Sequence, residues 1–365
     1  MVHYPLPNYH EDPYGVHKLP EVMRGLNPDL IFTLNDIWVL DGAERNGSKG
    51  WFINALKRHA PNTPWVIYVP VDSRPWTMDW ANLAFSADKT VVYSKYAEEV
   101  LQELHPEFRP EYIHHGVSLD RFKVIPEEDR KKVRDSMGVK DDEFLLGFVS
   151  RNQPRKNPAA IIEIFKMANE GYRKCTSCDG IRNLDDPKCE YCGESNEVSV
   201  EHAGVLEGNA KCYLHYNFED SMGLKIHKVI EDNKAYNGIV YNPGHSIPYG
   251  LPEDEFTAIF NSLDCHLLTT MAEGFGLTVL EGMACGVPTM ATRSTAVTEL
   301  LEQGGGIPVI PRMHMIFDDA ANTRKHLIDP ERAIVELKKV YEDWKLRGDN
   351  RWGPETTKRV DKGLA

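Results

Sequence analysis

DCHLLTTMAEGFGLTVLEGMACGVPTMAT, residues 264–292, decides the fold. DCHLLTT (264–270) reads as a buried strand, EGFGLTVLEGMACG (273–286) as a helix opened by glycines, and VPTMAT (287–292) as a second strand. Strand, helix and strand in that order make a βαβ unit of a parallel sheet. Glycines at a strand-to-helix turn let backbone N–H groups come close to a phosphate, and the helix N-terminus adds a favourable field for an anion. Two carboxylates, Glu273 and Glu281, stand eight positions apart around this turn. They would repel a diphosphate. They make sense if each accepts hydrogen bonds from hydroxyls, one set on a sugar and one on a ribose. The plainer alternative is a solvated Glu at a helix start, with the glycines serving only the turn.

A second segment, GFVSRNQPRKNPAA (147–160), has the same construction. A strand ends, a loop carries Arg151, Arg155 and Lys156, and Pro158 opens a helix. Cations at the C-terminal end of a parallel strand, beside a helix N-terminus, suit a phosphate pocket and would stabilise a departing anion. A merely basic, exposed loop would look the same in isolation.

Working outward, the chain repeats this alternation. Residues 1–20 read as irregular, 20–26 as a short helix, DLIFTL (29–34) as a buried strand and GWFINALKRHA (50–60) as an amphipathic helix. PWVIYVPV (64–71), TVVYS (90–94) and EYIHHGV (111–117) are further strands, with the helix YAEEVLQEL at 96–104. The charged helix EDRKKVRDSMGV (128–139) reads as a linker between halves. EFLLGFVS (143–150) is the strand of a second α/β pattern, followed by the helix PAAIIEIFKMANE (158–170). The strands AKCYLHY (210–216) and GIVYN (238–242) flank the helix GLKIHKVIEDNK, and GIVYN leads to a loop with GHSIPYG. DPERAIVELKKVYEDWKLRG (329–348) is a capped helix, with Asp329 as N-cap and Pro330 at its first position. Two domains are expected, 1–140 and 141–365.

The composition bounds the function. The 365 residues are 41% hydrophobic and 27% charged, ordinary for a globular chain. No apolar run reaches the ~18 residues of a spanning helix, and no apolar leader opens the chain. With 42 Lys and Arg against 55 Asp and Glu the net charge is −13. That excludes a general polyanion binder and leaves room for a local phosphate pocket; no nucleic-acid partner is expected. The expected setting is cytoplasmic, with peripheral membrane association left open.

Four of the seven cysteines, Cys175, Cys178, Cys189 and Cys192, form Cys-x2-Cys-x10-Cys-x2-Cys. Two such knuckles read as a tetrahedral Zn2+ site, and four protein ligands leave no open position, so the site is structural. The loop between them, DGIRNLDDPK, is too polar to build a core, so the metal supplies its folding energy. The ribbon, about 171–196, interrupts a helix-to-strand connection of the second domain. A redox pair is the lesser alternative. Cys265 and Cys285 sit in apolar contexts and read as buried small hydrophobes.

Together the first two segments resemble the retaining glycosyltransferases of family four, whose fold is GT-B: α/β, with two Rossmann-like domains facing a cleft. EGFGLTVLE fits that family's Glu-x7-Glu motif, with Glu273 and Glu281 at its ends, and RNQPRK fits its Arg-x4-Lys motif, with Arg151 and Lys156 at its ends. YIHHGVSLDRF (112–122) looks like the segment closing its first domain. The resemblance covers about residues 20–360, more closely in the second half. It implies a nucleotide-diphosphate sugar of UDP or GDP type as donor, and transfer with retention to the hydroxyl of an unknown glycan, lipid or protein. By carry-over, Arg151 and Lys156 bind the diphosphate, Glu273 contacts the donor sugar and supports charge on it, and Glu281 holds the ribose. Backbone amides around Gly274, Phe275, Gly276 and Leu277 touch phosphate. The family usually needs no divalent metal, so the zinc stays outside the chemistry. The alternative is a non-catalytic module that binds a nucleotide sugar or recruits a partner through the ribbon.

The first half departs from the family pattern. The family often places a His after a strand that here reads VIYVPVDSRP, so Asp72 stands near that place. Asp72 could orient a substrate hydroxyl or cap the following turn. Asp36 and Trp38 in LNDIWVL are read as ending a strand and lining the acceptor side; Trp76 and Trp80 read either as sugar-stacking rings or as core. The family's opening strand and Gly-rich loop have no counterpart here, and the far end stops inside a helix-like pattern, TTKRVDKGLA. The expectation is a chain trimmed at both ends, or completed by a separate chain.

Overall fold

The computed structural model describes residue 12 and residues 14–42, 49–218, 220–241, 251–317, 322–348 and 350–361. Residues 1–11 of the irregular start expected at 1–20 and the GHSIPYG loop lie outside them, while 18–20 are already helical. The chain divides into two compact units: 1–115 with 316–324, and 116–315 with 325–365.

In the first unit a four-stranded parallel sheet runs in the order β1 (Ile31–Leu34), β2 (Trp65–Val69), β3 (Lys89–Val92), β4 (Glu111–Tyr112). Its helices are α1 (Lys18–Leu26), α2 (Ile37–Asp41), α3 (Trp51–His59), α4 (Met78–Phe85) and α5 (Lys95–Leu104). Strands that succeed one another in sequence order, each joined by a right-handed crossover, place the connecting helices on one face. The core shows this. Trp65, Ile67 and Val69 of β2 pack with Met23, Leu40, Phe52, Leu56, Leu83 and Leu101 from all five helices. The opposite face carries Phe32, Leu34 and Ile113, each 57% exposed.

Two expectations change here. LNDIWVL is not a strand end: β1 stops at Leu34, and Asp36 is the N-cap of α2, with Trp38 set edge-on to Tyr14 at 5.8 Å. Trp76 and Trp80 do not share a helix face, because α4 starts at Met78 after its cap Thr77. Their rings meet edge-to-face at 5.9 Å, Trp76 is buried, and both belong to the core.

The second unit opens with α6 (Glu127–Ser136) and then β5 (Phe144–Val149), α7 (Pro158–Glu170), β6 (Gly171–Cys175), β7 (Ile181–Asn183) and β8 (Ser199–Ala203). It continues with β9 (Ala210–His215), α8 (Ile226–Asp232), β10 (Ile239–Tyr241), α9 (Glu253–Ser262), β11 (Cys265–Leu268), α10 (Leu277–Ala284) and β12 (Thr289–Thr292). Then follow α11 (Val297–Gly304), β13 (Ile307–Val309), the two-stranded sheet of β14 (Pro311–Ile316) and β15 (Arg324–Ile328), α12 (Pro330–Lys345) and α13 (Pro354–Asp361).

Six of these strands form a parallel sheet in the order β10-β9-β5-β11-β12-β13. From β5 the chain builds outward through β9 and β10, then returns to β11 on the other flank of β5. The strand order therefore reverses between β5 and β11, where ligands of open α/β sheets bind, outside the carboxyl ends. Every residue of β5 is buried, as expected of an apolar run in a sheet covered on both faces. Gly147 is needed for closeness: a Cβ there would lie 2.3 Å from Leu263 Cδ1.

The charged helix expected to link the halves is instead part of the second unit. Arg130 and Arg134 of α6 are buried and hold the carboxylate of Asp264 at 2.6 and 3.0 Å, and Asp264 also accepts the Leu145 N–H at 2.8 Å. The units consequently divide at His115, earlier than the sequence reading places the boundary. α12 starts as expected, with Asp329 accepting the N–H groups of Glu331 and Arg332 at 3.0 and 3.2 Å.

Candidate functional site

The carboxyl ends of β5 and β11 bring the two motifs together. β5 pairs with β11 through Cys265 opposite Leu146 and His266 opposite Gly147, so the loops that follow the two strands leave side by side. The loop after β5 carries Arg151, Arg155 and Lys156; Asn157, with φ of 52°, then turns the chain into α7 behind Pro158. The loop after β11 carries Glu273, Gly274, Phe275 and Gly276, and Leu277 begins α10.

Glu273 is 4% exposed. Its carboxylate accepts the Lys156 ammonium and faces the Arg155 guanidinium at 3.4 Å. Burial by itself pushes this carboxyl up; Lys156 and Arg155 outweigh it and hold it below the usual range, so Glu273 is ionised. Its backbone is pinned as well, with N–H and C=O both 2.8 Å from Thr295 Oγ1.

Gly276 caps α10 at φ of 103°, a conformation suited to Gly, and a Cβ there would lie 3.0 Å from Val297 Cγ2. Phe275 is buried and Leu277 exposed. The first N–H groups of α10 have no intrahelical acceptor, an arrangement that favours negative charge at this end. Glu281 lies in the second turn of α10, half-buried; its carbonyl accepts the Cys285 N–H at 3.1 Å, and its carboxylate makes no hydrogen bond among the described residues. Burial raises its pKa to about 7.

Arg151 is held differently from Lys156. Its Nε donates to Asp220 Oδ2 at 2.7 Å, and Asp220, whose side chain is buried, also accepts the Met222 N–H at 3.0 Å. Asp220 follows β9, the neighbour of β5. The sequence reading missed Asp220 and Thr295. Their only sequence signal is position just beyond a parallel strand's carboxyl end. Asp72 belongs to the first unit, past the end of β2, and accepts Ser73 Oγ at 2.7 Å; Thr77, not Asp72, caps the next helix.

The sulfur atoms of Cys175, Cys178, Cys189 and Cys192 all lie within 4.8 Å of one another, a grouping compatible with a metal ion. No described helix is long and apolar enough to cross a membrane.

Residues 232–323 match the family model described as Glycosyl transferases group 1. The chain is 25% identical over 200 residues to a D-inositol 3-phosphate glycosyltransferase of Paenarthrobacter aurescens, covering 52% of this chain and 40% of that one. It spans about half the length, or less, of the curated relatives it matches. The structure of HepE from Anabaena in complex with UDP and glucose aligns with a TM-score of 0.60 at 17% identity, over 90% of this chain and 72% of that one. Sucrose-phosphate synthase from Thermosynechococcus elongatus aligns with a TM-score of 0.64 at 14% identity, over 100% and 75%. The chain thus has an α/β fold with parallel sheets that matches GT-B glycosyltransferase structures, and its residues 232–323 are similar to the glycosyl transferases group 1 model.

Proposed function

We propose that the chain is a retaining glycosyltransferase, taking a hexosyl group from a nucleotide-diphosphate sugar of UDP or GDP type to an acceptor hydroxyl. The observation that carries this reading is the buried Glu273 carboxylate held by Lys156 and Arg155 where the strand order reverses. The UDP complex of the Anabaena neighbour supports a nucleotide donor.

In this reading the diphosphate lies against the N–H groups that open α10, near Gly274, Phe275, Gly276 and Leu277. Lys156 and Arg151 neutralise it and stabilise the leaving nucleotide as the glycosidic bond lengthens. Glu273 sits beside the donor sugar, accepts from its hydroxyls and offsets the positive charge that develops on the ring. Glu281, half-buried with its carboxylate unpartnered among the described residues, takes the ribose hydroxyls. Asp72 orients an acceptor or donor hydroxyl. The acceptor is a glycan, a lipid or a protein. Four cysteines grouped as for a metal ion, not paired as disulfides, fit a cytoplasmic, reducing setting. The four clustered cysteines take no part in transfer.

The test is nucleotide release. The protein is incubated with UDP- and GDP-sugars and free nucleotide is measured, with Glu273→Gln alongside. Release that Glu273→Gln abolishes supports the reading. Tight donor binding with no turnover for any donor and acceptor tried would replace it with a non-catalytic binding module.

A further inference from the structure

The insertion between α7 and β9 is built around a site the transfer chemistry does not use. β6 lies at the centre of a three-stranded antiparallel sheet, paired with β7 and β8. The sheet reaches Ala203, further than the 171–196 expected of the ribbon. Its entry and exit are closed by glycines. A Cβ on Gly171 would lie 2.5 Å from the His202 carbonyl, and one on Gly204 would lie 2.3 Å from the Asn169 carbonyl.

The two cysteine knuckles have the same backbone geometry. In the first, the N–H of Asp179 donates to the Cys175 carbonyl at 2.9 Å, with Asp179 at φ of 59°. In the second, the N–H of Gly193 donates to the Cys189 carbonyl at 2.8 Å, with Gly193 at φ of 78°. The amide pattern at sulfur repeats too. The N–H groups of Ser177 and Cys178 point to the Cys175 sulfur, and those of Tyr191 and Cys192 to the Cys189 sulfur. Gly180 N–H points to the Cys178 sulfur and Glu194 N–H to the Cys192 sulfur. Six amides turned onto four sulfurs in two matching turns suit thiolates, which need such donors when they carry charge. Cys175 and Cys192 have their sulfurs 3.6 Å apart, and Cys178 and Cys189 3.5 Å apart. The edge of a tetrahedron with 2.3 Å metal–sulfur bonds is about 3.8 Å. Gly180 completes the fit, because a Cβ there would crowd the Cys178 and Cys189 sulfurs at 3.2 and 3.1 Å.

We propose that Cys175, Cys178, Cys189 and Cys192 bind one Zn2+ and that this closed site is a brace between the insertion and the second unit's helices. The metal fixes β6, and β6 carries the contacts outward. Lys174, next to Cys175, pairs with Glu331 in the first turn of α12 at 2.9 Å, and Tyr172 OH reaches the same carboxylate at 3.4 Å. Asp185, in the loop between the knuckles, lies 3.7 Å from the buried Lys166 of α7. α7 has 13 residues and is about 20 Å long, with Lys156 just before its start and the insertion at its end. The brace is therefore separate from the proposed donor site, and at that distance the two respond independently.

The test uses the whole chain, purified without chelator. Metal analysis is expected to give about one zinc per chain. Replacement by Co2+ is expected to give the visible bands of tetrahedral thiolate cobalt. Stripping the metal is expected to open 176–198 to protease, while affinity for UDP changes by less than about threefold. Cys178→Ser with Cys192→Ser is expected to lose the metal; if that variant misfolds, the cobalt spectrum of the native chain still decides the ligand set. Bound iron, two disulfides, or an unchanged cleavage pattern after chelation would overturn the proposal. A chain that binds zinc and never binds UDP would overturn the donor reading alone, and loss of UDP binding on stripping would overturn the independence of the brace.

Discussion

Lys156 donates its ammonium to the carboxylate of Glu273, 117 positions further along the chain. Neither residue is near the other in sequence; each follows one of two adjacent strands. This contact joins the two motifs into one site, and it sets the expected behaviour of both residues.

Glu273→Gln keeps the shape and removes the charge. Turnover is expected to fall on the order of 10²–10³-fold in kcat, the usual scale for losing a preorganised electrostatic contact to the transition state. UDP binding is expected to be unchanged or tighter, because an anion beside the diphosphate is gone. Steady-state kinetics and calorimetry on one preparation check both, and near-native kcat would remove Glu273 from the chemistry.

Lys156→Ala is expected to weaken UDP binding about 10- to 100-fold, the equivalent of one charge-assisted hydrogen bond. Uridine, which lacks phosphate, is expected to lose far less. Equal losses for both ligands would take away the phosphate role.

Glu281 gives a pH dependence. Burial raises its pKa to about 7, so the folded chain favours its neutral form. The stability this contributes is full below the usual carboxylate range and is lost as the pH rises toward 7. An ionised carboxylate is the stronger acceptor for ribose hydroxyls, so affinity for UDP-glucose is expected to rise as the pH passes through about 7. Glu281→Gln is expected to flatten both profiles. Titrations of native and variant chains from mildly acidic to mildly basic pH check the sign, and a falling affinity in the native chain would refute it.

Asp264→Ala removes the shared partner of Arg130 and Arg134. Arg130 keeps Glu127 at 2.9 Å, but Arg134 is left buried without an anion, and this is expected to destabilise the second unit by about 3–5 kcal/mol. Denaturant unfolding measures this; a loss below about 1 kcal/mol would mean the charges find water or other partners.

What could be read in advance follows from where the information sits. β5, β11 and β12 were legible because FLLGFV is an apolar run and CHLL and TMAT are short, largely uncharged stretches flanked by turn residues, the mark of buried parallel strands. Asp329 and Pro330 announced α12 because capping chemistry is local. IWVL was misread because four apolar residues fit a strand and one helical turn equally. α6 looked solvated because Arg130 and Arg134 meet their counterion more than 120 positions away. Asp220 and Thr295 were hidden for the same reason: each acts on a residue that only the sheet brings near.

The one-sided packing of the first unit has a practical consequence. With all five described helices on one side of the sheet, Phe32, Leu34 and Ile113 turn apolar groups to water, and β1 forms an edge of the sheet among the described residues. An apolar strand at a sheet edge is a template for self-association. Solubility of the expressed chain should therefore be governed by this small surface and scarcely by the net charge of −13. Phe32→Lys with Leu34→Glu is expected to raise the concentration at which the protein stays monodisperse, as light scattering would register, and it offers the first change to make when preparing material for crystals.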